Sequence, residues 1–437
     1  MSFSKKTIRD INLDGKTVLM RVDFNVPLDK GVIADDYRIQ QALPTINYLL
    51  ERKVRLVLCS HLGRPEGKAN NDDSLFPVAK RLGELLGNDK VNFVKDCVGP
   101  LVVKAVKAMA PGDVVLLENV RFHAEEEAND DNFAQQLVAD TGAEVFVQDA
   151  FGVVHHGAVS VSELPKYLPG VAGLLLEKEV DTITRVMQDP ERPLVAVVGG
   201  AKISDKIDIL TKFIDIADIV AVGGAMANTF LLADGIDVAK SLVEHNDVSI
   251  AKDILEKARA KAKQGNFVFY IPQDAVVAHA IDKTKPTRIV DWSAHVISAI
   301  ENYPKRPPHS ASTIADDEMI LDIGPFSASF IAGTLQLAKT VVWNGSLGVA
   351  EQTGLQGPVG PYAHGTHVVM EAILGERGNK PFSLVGGGDT VSFIQSQGLT
   401  PYFNHVSTGG GASLELMAGR SLPGVEALLD KTENEVQ

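Results

Sequence analysis

Cysteine is nearly absent from this chain of 437 residues: Cys59 and Cys97 are the only two. Two thiols cannot build the disulfide framework of a secreted fold, and such scarcity fits a reducing compartment. Long hydrophobic runs are missing too. The most apolar stretch, Ile219 to Ala233, contains Asn228 and two glycines, and it falls short of the roughly 18 residues a membrane span needs. The opening "MSFSKKTIRD" is basic but leads into no apolar segment, so a signal peptide is not expected and the cytoplasm is the expected location. Positive charge is in deficit, with a formal net charge of −14, which argues against a general nucleic-acid binder. A local group of Arg and Lys could still make one cleft attractive to a small anion. Finally, neither of two familiar phosphate-binding patterns, G-x-x-x-x-G-K-[ST] and G-x-G-x-x-G, occurs anywhere in the chain.

What the sequence does contain is a recurring alternation. Apolar, β-branched runs such as "TVLMRVDFNV", "VRLVLCS", "DVVLLENV", "LVAVVGG", "DIVAVGG", "MILDIGP", "TVVWNG" and "FSLVGGG" are separated by amphipathic segments such as Leu75–Leu86, Asp205–Ile216 and Ile250–Ala262. Continuous apolar strands between helices predict mostly parallel sheets covered on both faces. The chain is too long for one ordinary core. The expected fold is therefore α/β, with two doubly wound, mostly parallel-sheet domains joined by a hinge helix. The expected boundaries are 1–180, a linker at 181–193 that ends on Pro190 and Pro193, 194–416, and a C-terminal segment, 417–437. Two segments rich in Pro, Gly or Ser, 302–317 and 352–363, read as surface loops.

The ends of the anticipated strands differ between the two halves, and open α/β sheets bind ligands beyond those ends. In the first half they carry Arg and His: "RVDFNVP" supplies Arg21, Asp23 and Asn25, "CSHLGRP" supplies His61 and Arg64, and "LLENVRFH" supplies Arg121. Together with Arg38 these residues suit a small acid bearing a phosphate, because a guanidinium clamps phosphate and carboxylate through a planar fork of donors. In the second half the ends carry glycine: "GGAK", "GGAM", "DIGP", "WNGSLG", "GGGDT" and "STGGGAS". Glycine lets backbone approach a ligand closely, and a helix start aims free N–H groups at it, so a nucleotide pocket is expected here. Gly200, Gly387 and Gly388 would line it, and Lys202 and Lys206, one helical turn apart, could both face the phosphates. Asp389 is a carboxylate inside this anion-binding region. It is either a helix N-cap or a ligand to Mg²⁺ held by the phosphates. "HGTH" and "HH" lack the further ligand spacing of a zinc site.

These motifs, with "VVGGAKISDK", "WNGSLGVAE" and "STGGGASLE", occur in an order that resembles the phosphoglycerate kinase family from about residue 7 to residue 430. The resemblance implies reversible phosphoryl transfer between 1,3-bisphosphoglycerate and ADP, giving 3-phosphoglycerate and ATP, with Mg²⁺-bound nucleotide; nothing in the sequence demands more than a monomer. It implies that Asp23, Asn25, Arg38, His61, Arg64 and Arg121 hold the phosphoglycerate. Lys202, Lys206, Asn344, Glu351, Asp389 and Thr390 would hold the nucleotide, with Glu351 on the ribose and Asp389 on the metal. Arg38 and Lys206 would stabilise the group in transfer, and residues 417–437 would return to the N-terminal domain. The chain departs from the family pattern at four positions. His156, in "DAFGVVHHGAVS", stands where the family has a substrate-contacting Arg. Ala158 stands where His is common, and Ser346 and Ala350 replace Pro and Phe. A kinase for another acyl phosphate and a non-catalytic nucleotide binder remain the alternatives.

Overall fold

A computed structural model describes residues 3–87, 91–292, 313–355, 357, 359–376 and 378–432. The expected loop at 302–317 lies outside the described residues up to 312. The chain divides into two compact units, Met1–Thr184 with Gly411–Gln437, and Arg185–Gly410. The helix Leu174–Gln188 runs from the first into the second. Among the described residues no helix is long and apolar enough to cross a membrane.

The strands of the first unit are β1 (Thr17–Arg21), β2 (Leu28–Asp29), β3 (Val32–Ile33), β4 (Arg55–Cys59), β5 (Val91–Val94), β6 (Val114–Leu117), β7 (Val145–Gln148) and β8 (Gly170–Ala172). β2 and β3 form a small antiparallel hairpin. The others make one parallel sheet in the order β5-β6-β4-β1-β7-β8. Successive side chains on a strand point to opposite faces, which is why these runs are apolar throughout instead of alternating. Val18, Met20, Leu56 and Leu58 pack on one face against Ile39, Ile46 and Leu49 of the helix Tyr37–Glu51. Leu19, Val57 and Phe146 pack on the other against Phe133 and Leu137 of the helix Asp131–Thr141. Cys59 and Cys97 are buried free thiols. Burial pushes the Cys59 thiol up to about 12 and raises that of Cys97 as well, so both behave as core residues. The chain's last described residues pair with its first: Lys6 N donates to Leu429 O at 2.7 Å, and Lys5 meets Asp430 at 2.7 Å.

The second unit contains β9 (Leu194–Val198), β10 (Ile219–Val222), β11 (Val268–Tyr270), β12 (Asp274–Ala278), β13 (Arg288–Asp291), β14 (Met319–Ile323), β15 (Thr340–Asn344), β16 (Phe382–Gly386) and β17 (His405–Val406). Its main sheet is parallel, in the order β11-β10-β9-β15-β16-β17. One expectation is corrected here. "MILDIGP" does not join the main sheet. As β14 it pairs antiparallel with β12, which also pairs antiparallel with β13. The short runs "DAVVA" and "RIVD" carried too little apolar length to announce strands, yet together they draw β14 into a separate three-stranded sheet. "DIGP" is therefore not one of the glycine turns at the edge of the main sheet.

Candidate active site

In a parallel sheet every strand delivers its C-terminal loop to the same edge. In the first unit, the loops after β1, β4, β6 and β7 carry the charged residues anticipated from the sequence. Arg21, the last residue of β1, is 2% exposed. Its Nη1 donates to Val22 O at 2.7 Å, and its Nη2 lies 3.1 Å from His61 Nδ1. A guanidinium can only donate, so Nδ1 must accept and the ring proton sits on Nε2. Burial, followed by Arg21, Arg121, Arg38 and His156, holds the His61 pKa well below the usual imidazole range. His61 is thus a neutral ring with one N–H donor in a strongly positive field.

The other members are locked to one another. Arg38 lies in the first turn of the helix Tyr37–Glu51. Its Nη1 donates to Asn25 O at 3.0 Å and is 3.1 Å from Asp23 Oδ2. Asn25 Oδ1 accepts from Gly63 N at 3.0 Å. Arg121, in the 3₁₀ turn Val120–Phe122, donates to Gly63 O at 3.0 Å and pairs with Glu127 at 3.2 Å. Burial is the main cause lowering its pKa; Glu127 opposes that, while Arg21 and Arg64 add to it. Arg64 is exposed. His156 is also exposed, its ring centroid 3.7 Å from that of His155. Burial, then His156, lowers the His155 pKa to about 4, so that ring is neutral near pH 7 and the stack carries no like-charge repulsion. The result is a surface of cations and one N–H donor in which, among the described residues, Asp23 pairs with Arg38 and Glu127 with Arg121. It suits an anion carrying more than one negative group.

In the second unit the strand sequence reverses between β9 and β15, since the order runs outward through β10 and β11 on one side and through β16 and β17 on the other. Loops leaving such a switch point diverge and open a crevice. Here they also cross. Gly199 N donates to Asn344 O, Gly200 N to Ser346 O and Gly224 N to Leu347 O, each at 2.9 Å. A Cβ on Gly199 would lie 2.1 Å from Ser346 O, and one on Gly345 would lie 2.2 Å from Gly199 O. These glycines thus permit backbone-to-backbone packing of three loops. The expectation that their amides serve a ligand is narrowed accordingly, because three of them are already bonded. A pocket of about 210 Å³ opens beside this crossing. Gly200, Ser346, Glu351 and Asp389 give it polar lining, and Leu231, Leu242, Ile281, Trp292 and Ile320 give it apolar walls.

The two lysines differ from expectation. Residues 201–206 form bends and a turn, and the helix begins at Ile207, so Lys202 and Lys206 are not one helical turn apart. Lys202 is exposed, whereas Lys206 is 8% exposed and bonds Asn344 Oδ1. Burial lowers the Lys206 pKa to about 8 against the opposing charges of Asp205 and Asp389. Asn344 Nδ2 is buried with no partner among the described residues, a donor available to a ligand oxygen. The helix Gly388–Ser396 starts directly after Gly387, which has φ +89°, and its first amides have no acceptor within the helix. Asp389 is exposed in that first turn, and the N-cap position is held by Gly387. Thr390 Oγ accepts from Gly345 N at 2.8 Å, which ties the β15 loop to this helix. Ser346 and Ala350 are buried, and Glu351 is exposed.

Sequence reasoning missed Glu244. Its carboxylate accepts from Ile203 N, from Ser204 N at 3.2 Å and from Ser204 Oγ at 2.7 Å, holding the loop between Lys202 and Lys206. It lies 40 residues away in the chain with no motif around it, so no local signal could have found it.

A profile of the phosphoglycerate kinase family matches residues 8–420. The chain belongs to the phosphoglycerate kinase family. It is 44% identical to the phosphoglycerate kinase of Moorella thermoacetica over 428 residues, covering 98% of this chain and all of that protein. It is 43% identical to that of Dictyoglomus turgidum over 431 residues, with the same coverage. Among solved structures it is similar to phosphoglycerate kinase from Coxiella burnetii, with TM-score 0.78 and 34% identity over 97% of this chain and 98% of that one. The enzyme from Pyrococcus horikoshii gives TM-score 0.79 and 30% identity with the same coverage. The reaction is that of the family: phosphoryl transfer between 1,3-bisphosphoglycerate and ADP, in glycolysis. The alternatives of another acyl-phosphate kinase and of a non-catalytic nucleotide binder are not favoured.

Proposed function

We propose that the two units divide this reaction between them, the first holding the phosphoglycerate and the second the nucleotide. One observation carries the reading: each unit presents, beyond the C-terminal edge of its own parallel sheet, the groups one of the two substrates requires. Asn25, Arg38, His61, Arg64 and Arg121 would bind the carboxyl and phosphate groups of the acid, with Asp23 orienting Arg38. Lys206, Asn344 and the amides at Gly388 would receive the nucleotide phosphates, and Glu351 the ribose. A Mg²⁺ ion carried by those phosphates would take Asp389 as its protein ligand. No group of three or more metal-ligating side chains occurs among the described residues, and the donor set fits this role, because Mg²⁺ commonly takes one or two carboxylates plus substrate phosphates. Bound there, the ion would neutralise phosphate charge.

Attack of an ADP oxygen on an acyl phosphate joins two groups already ionised near neutral pH, so no general base is needed. Catalysis then rests on alignment and charge neutralisation during in-line transfer, with Arg38 and Lys206 as the groups that meet the developing charge. Ligands held on separate units must be brought together. The helix Leu174–Gln188 is the proposed hinge, and closure would exclude water that could otherwise accept the phosphoryl group. We place this work in a cytoplasmic monomer. A coupled assay with MgATP tests the acceptor: 3-phosphoglycerate supports turnover, whereas acetate and aspartate do not. Turnover with either of those acids and none with 3-phosphoglycerate would refute the reading.

The buried lysine gives a pH prediction. Free Lys206 titrates at about 8, and an adjacent phosphate favours its charged form. Above pH 8 nucleotide binding must therefore take up a proton. The Kd for MgADP is flat between pH 6.5 and 7.5, then rises above pH 8 by up to about tenfold per unit. Calorimetry in buffers of different ionisation enthalpy reads the proton uptake. A Kd unchanged to pH 9.5 would show that Lys206 does not meet the phosphates.

His156 gives a further prediction. It stands where the family has an Arg, and it adds to the field at His61. An imidazole lacks the planar fork of donors a guanidinium offers a phosphate or carboxylate, so His156→Arg tightens binding of 3-phosphoglycerate several-fold. An unchanged Kd in calorimetry would show that the side chain at 156 does not touch the acid.

A further inference from the structure

Lys206 is held by a chain of bonds that begins outside its own loop. Residues 201–206 form bends and a turn with no strand or helix of their own. Ile203, 0% exposed, is the pivot of this loop. Its O accepts from Lys206 N at 2.8 Å, and its N donates to Glu244 Oε2. The same oxygen accepts from Ser204 N at 3.2 Å, while Glu244 Oε1 accepts from Ser204 Oγ at 2.7 Å. Glu244 is anchored in turn by the helix Met226–Ala233. Its N donates to Thr229 Oγ1 at 3.3 Å, and Asn228 Nδ2 donates to Leu242 O at 3.1 Å. Asn228 and Thr229 are each 1% exposed, so both anchors are fixed in the core. At its other end the loop is held without Glu244: Gly200 N donates to Ser346 O at 2.9 Å, and Gly200 O accepts from Met226 N at 3.0 Å. Loss of Glu244 therefore frees residues 201–206 and leaves the glycine crossing in place.

We propose that Glu244 is a positioning residue for the transfer step: through Ile203 it holds Lys206 where its ammonium meets the phosphoryl group. This rests on the reading of Lys206 as a cation of the nucleotide site. Glu244 acts on the reaction only through the loop, and what the loop needs from it is reach. Two backbone N–H groups require an acceptor at one fixed point, and a hydroxyl can accept as well as donate. A glutamine side chain satisfies all three groups, with its Oε1 toward the amides and its Nε2 toward Ser204 Oγ. Aspartate keeps the charge but withdraws the carboxylate by one methylene. A displacement of about 1 Å costs on the order of 10²-fold in rate, while a lysine on a freed loop still neutralises part of the phosphate charge.

The test is steady-state kinetics with 3-phosphoglycerate and MgATP on Glu244→Ala, Glu244→Gln, Glu244→Asp and Lys206→Ala. Glu244→Ala lowers kcat by about thirtyfold. KM for 3-phosphoglycerate stays within about twofold, because the acid is held on the first unit. Glu244→Gln keeps kcat within about threefold of the unaltered protein, whereas Glu244→Asp falls toward the alanine variant. The double variant separates positioning from mere structure. With Lys206 already removed, Glu244→Ala costs no more than about twofold further, because it acts through that lysine. Independent losses that multiply would overturn the proposal, and so would an unchanged kcat in Glu244→Ala. If Glu244→Ala fails to fold, the other pair still decides: equal kcat in Glu244→Gln and Glu244→Asp would overturn it. An unchanged kcat in Lys206→Ala would instead refute the reading of Lys206 itself.

Discussion

Arg38→Ala lowers kcat by about 10³-fold, the scale at which arginine and other preorganised donors act on phosphoryl and acyl transfer. KM for 3-phosphoglycerate changes by no more than about threefold. The expectation follows from where Arg38 is anchored. Its Nη1 is held by Asn25 O and Asp23, so the guanidinium is pre-positioned before substrate arrives and meets charge that develops mainly in transfer. The variant also removes a charged partner from Asp23, which is 7% exposed, at a cost of about 1–3 kcal/mol of stability; a melting curve separates that loss from the kinetic one. Arg38→Lys keeps the charge without the planar fork and recovers only part of kcat. A variant that changes KM alone would reduce Arg38 to a ground-state clamp for the acid.

Asp389→Ala removes the proposed protein ligand to nucleotide-borne Mg²⁺ and lowers kcat/KM for MgATP by about 10³-fold, equivalent to several kcal/mol of charge stabilisation. A second effect distinguishes this from simple loss of a surface charge. Asp389 is one of the two groups that support protonation of Lys206. Without it the lysine deprotonates at lower pH, so the rise in nucleotide Kd that begins near pH 8 begins earlier in the variant. A variant with normal kcat/KM for MgATP would leave Asp389 as a residue of the helix start with no part in the reaction.

The parallel α/β plan was legible because strands buried on both faces must be apolar throughout, and runs such as "TVLMR" and "LVAVV" are buried at every position. Strand order was not legible. It depends on which strands pair at long range, and in the second unit it is what puts the switch point between β9 and β15. β14 shows how a correct strand can be put in the wrong sheet, since its partners β12 and β13 are too short and mixed to be read. The charged strand ends were legible as chemistry, but their mutual locking was not. That Arg21 fixes the His61 tautomer, that Glu244 ties the Lys202–Lys206 loop, and that the glycine turns are tightly crossed all arise from residues brought together only by the fold. Lys206 shows the same limit. Its spacing from Lys202 predicted a shared helical face, whereas it is buried and bonded to Asn344, the last residue of β15.

The central claim is that each substrate has its own unit, and calorimetry on two single variants tests it most directly. 3-Phosphoglycerate and MgADP are titrated separately into Asp389→Ala and Arg64→Ala. The account predicts that Asp389→Ala binds the acid as the unaltered protein does and binds MgADP weakly. Arg64→Ala shows the reverse. Loss of the acid with retention of MgADP in Asp389→Ala, or equal loss of both ligands in either variant, would contradict the division of the reaction between the two units.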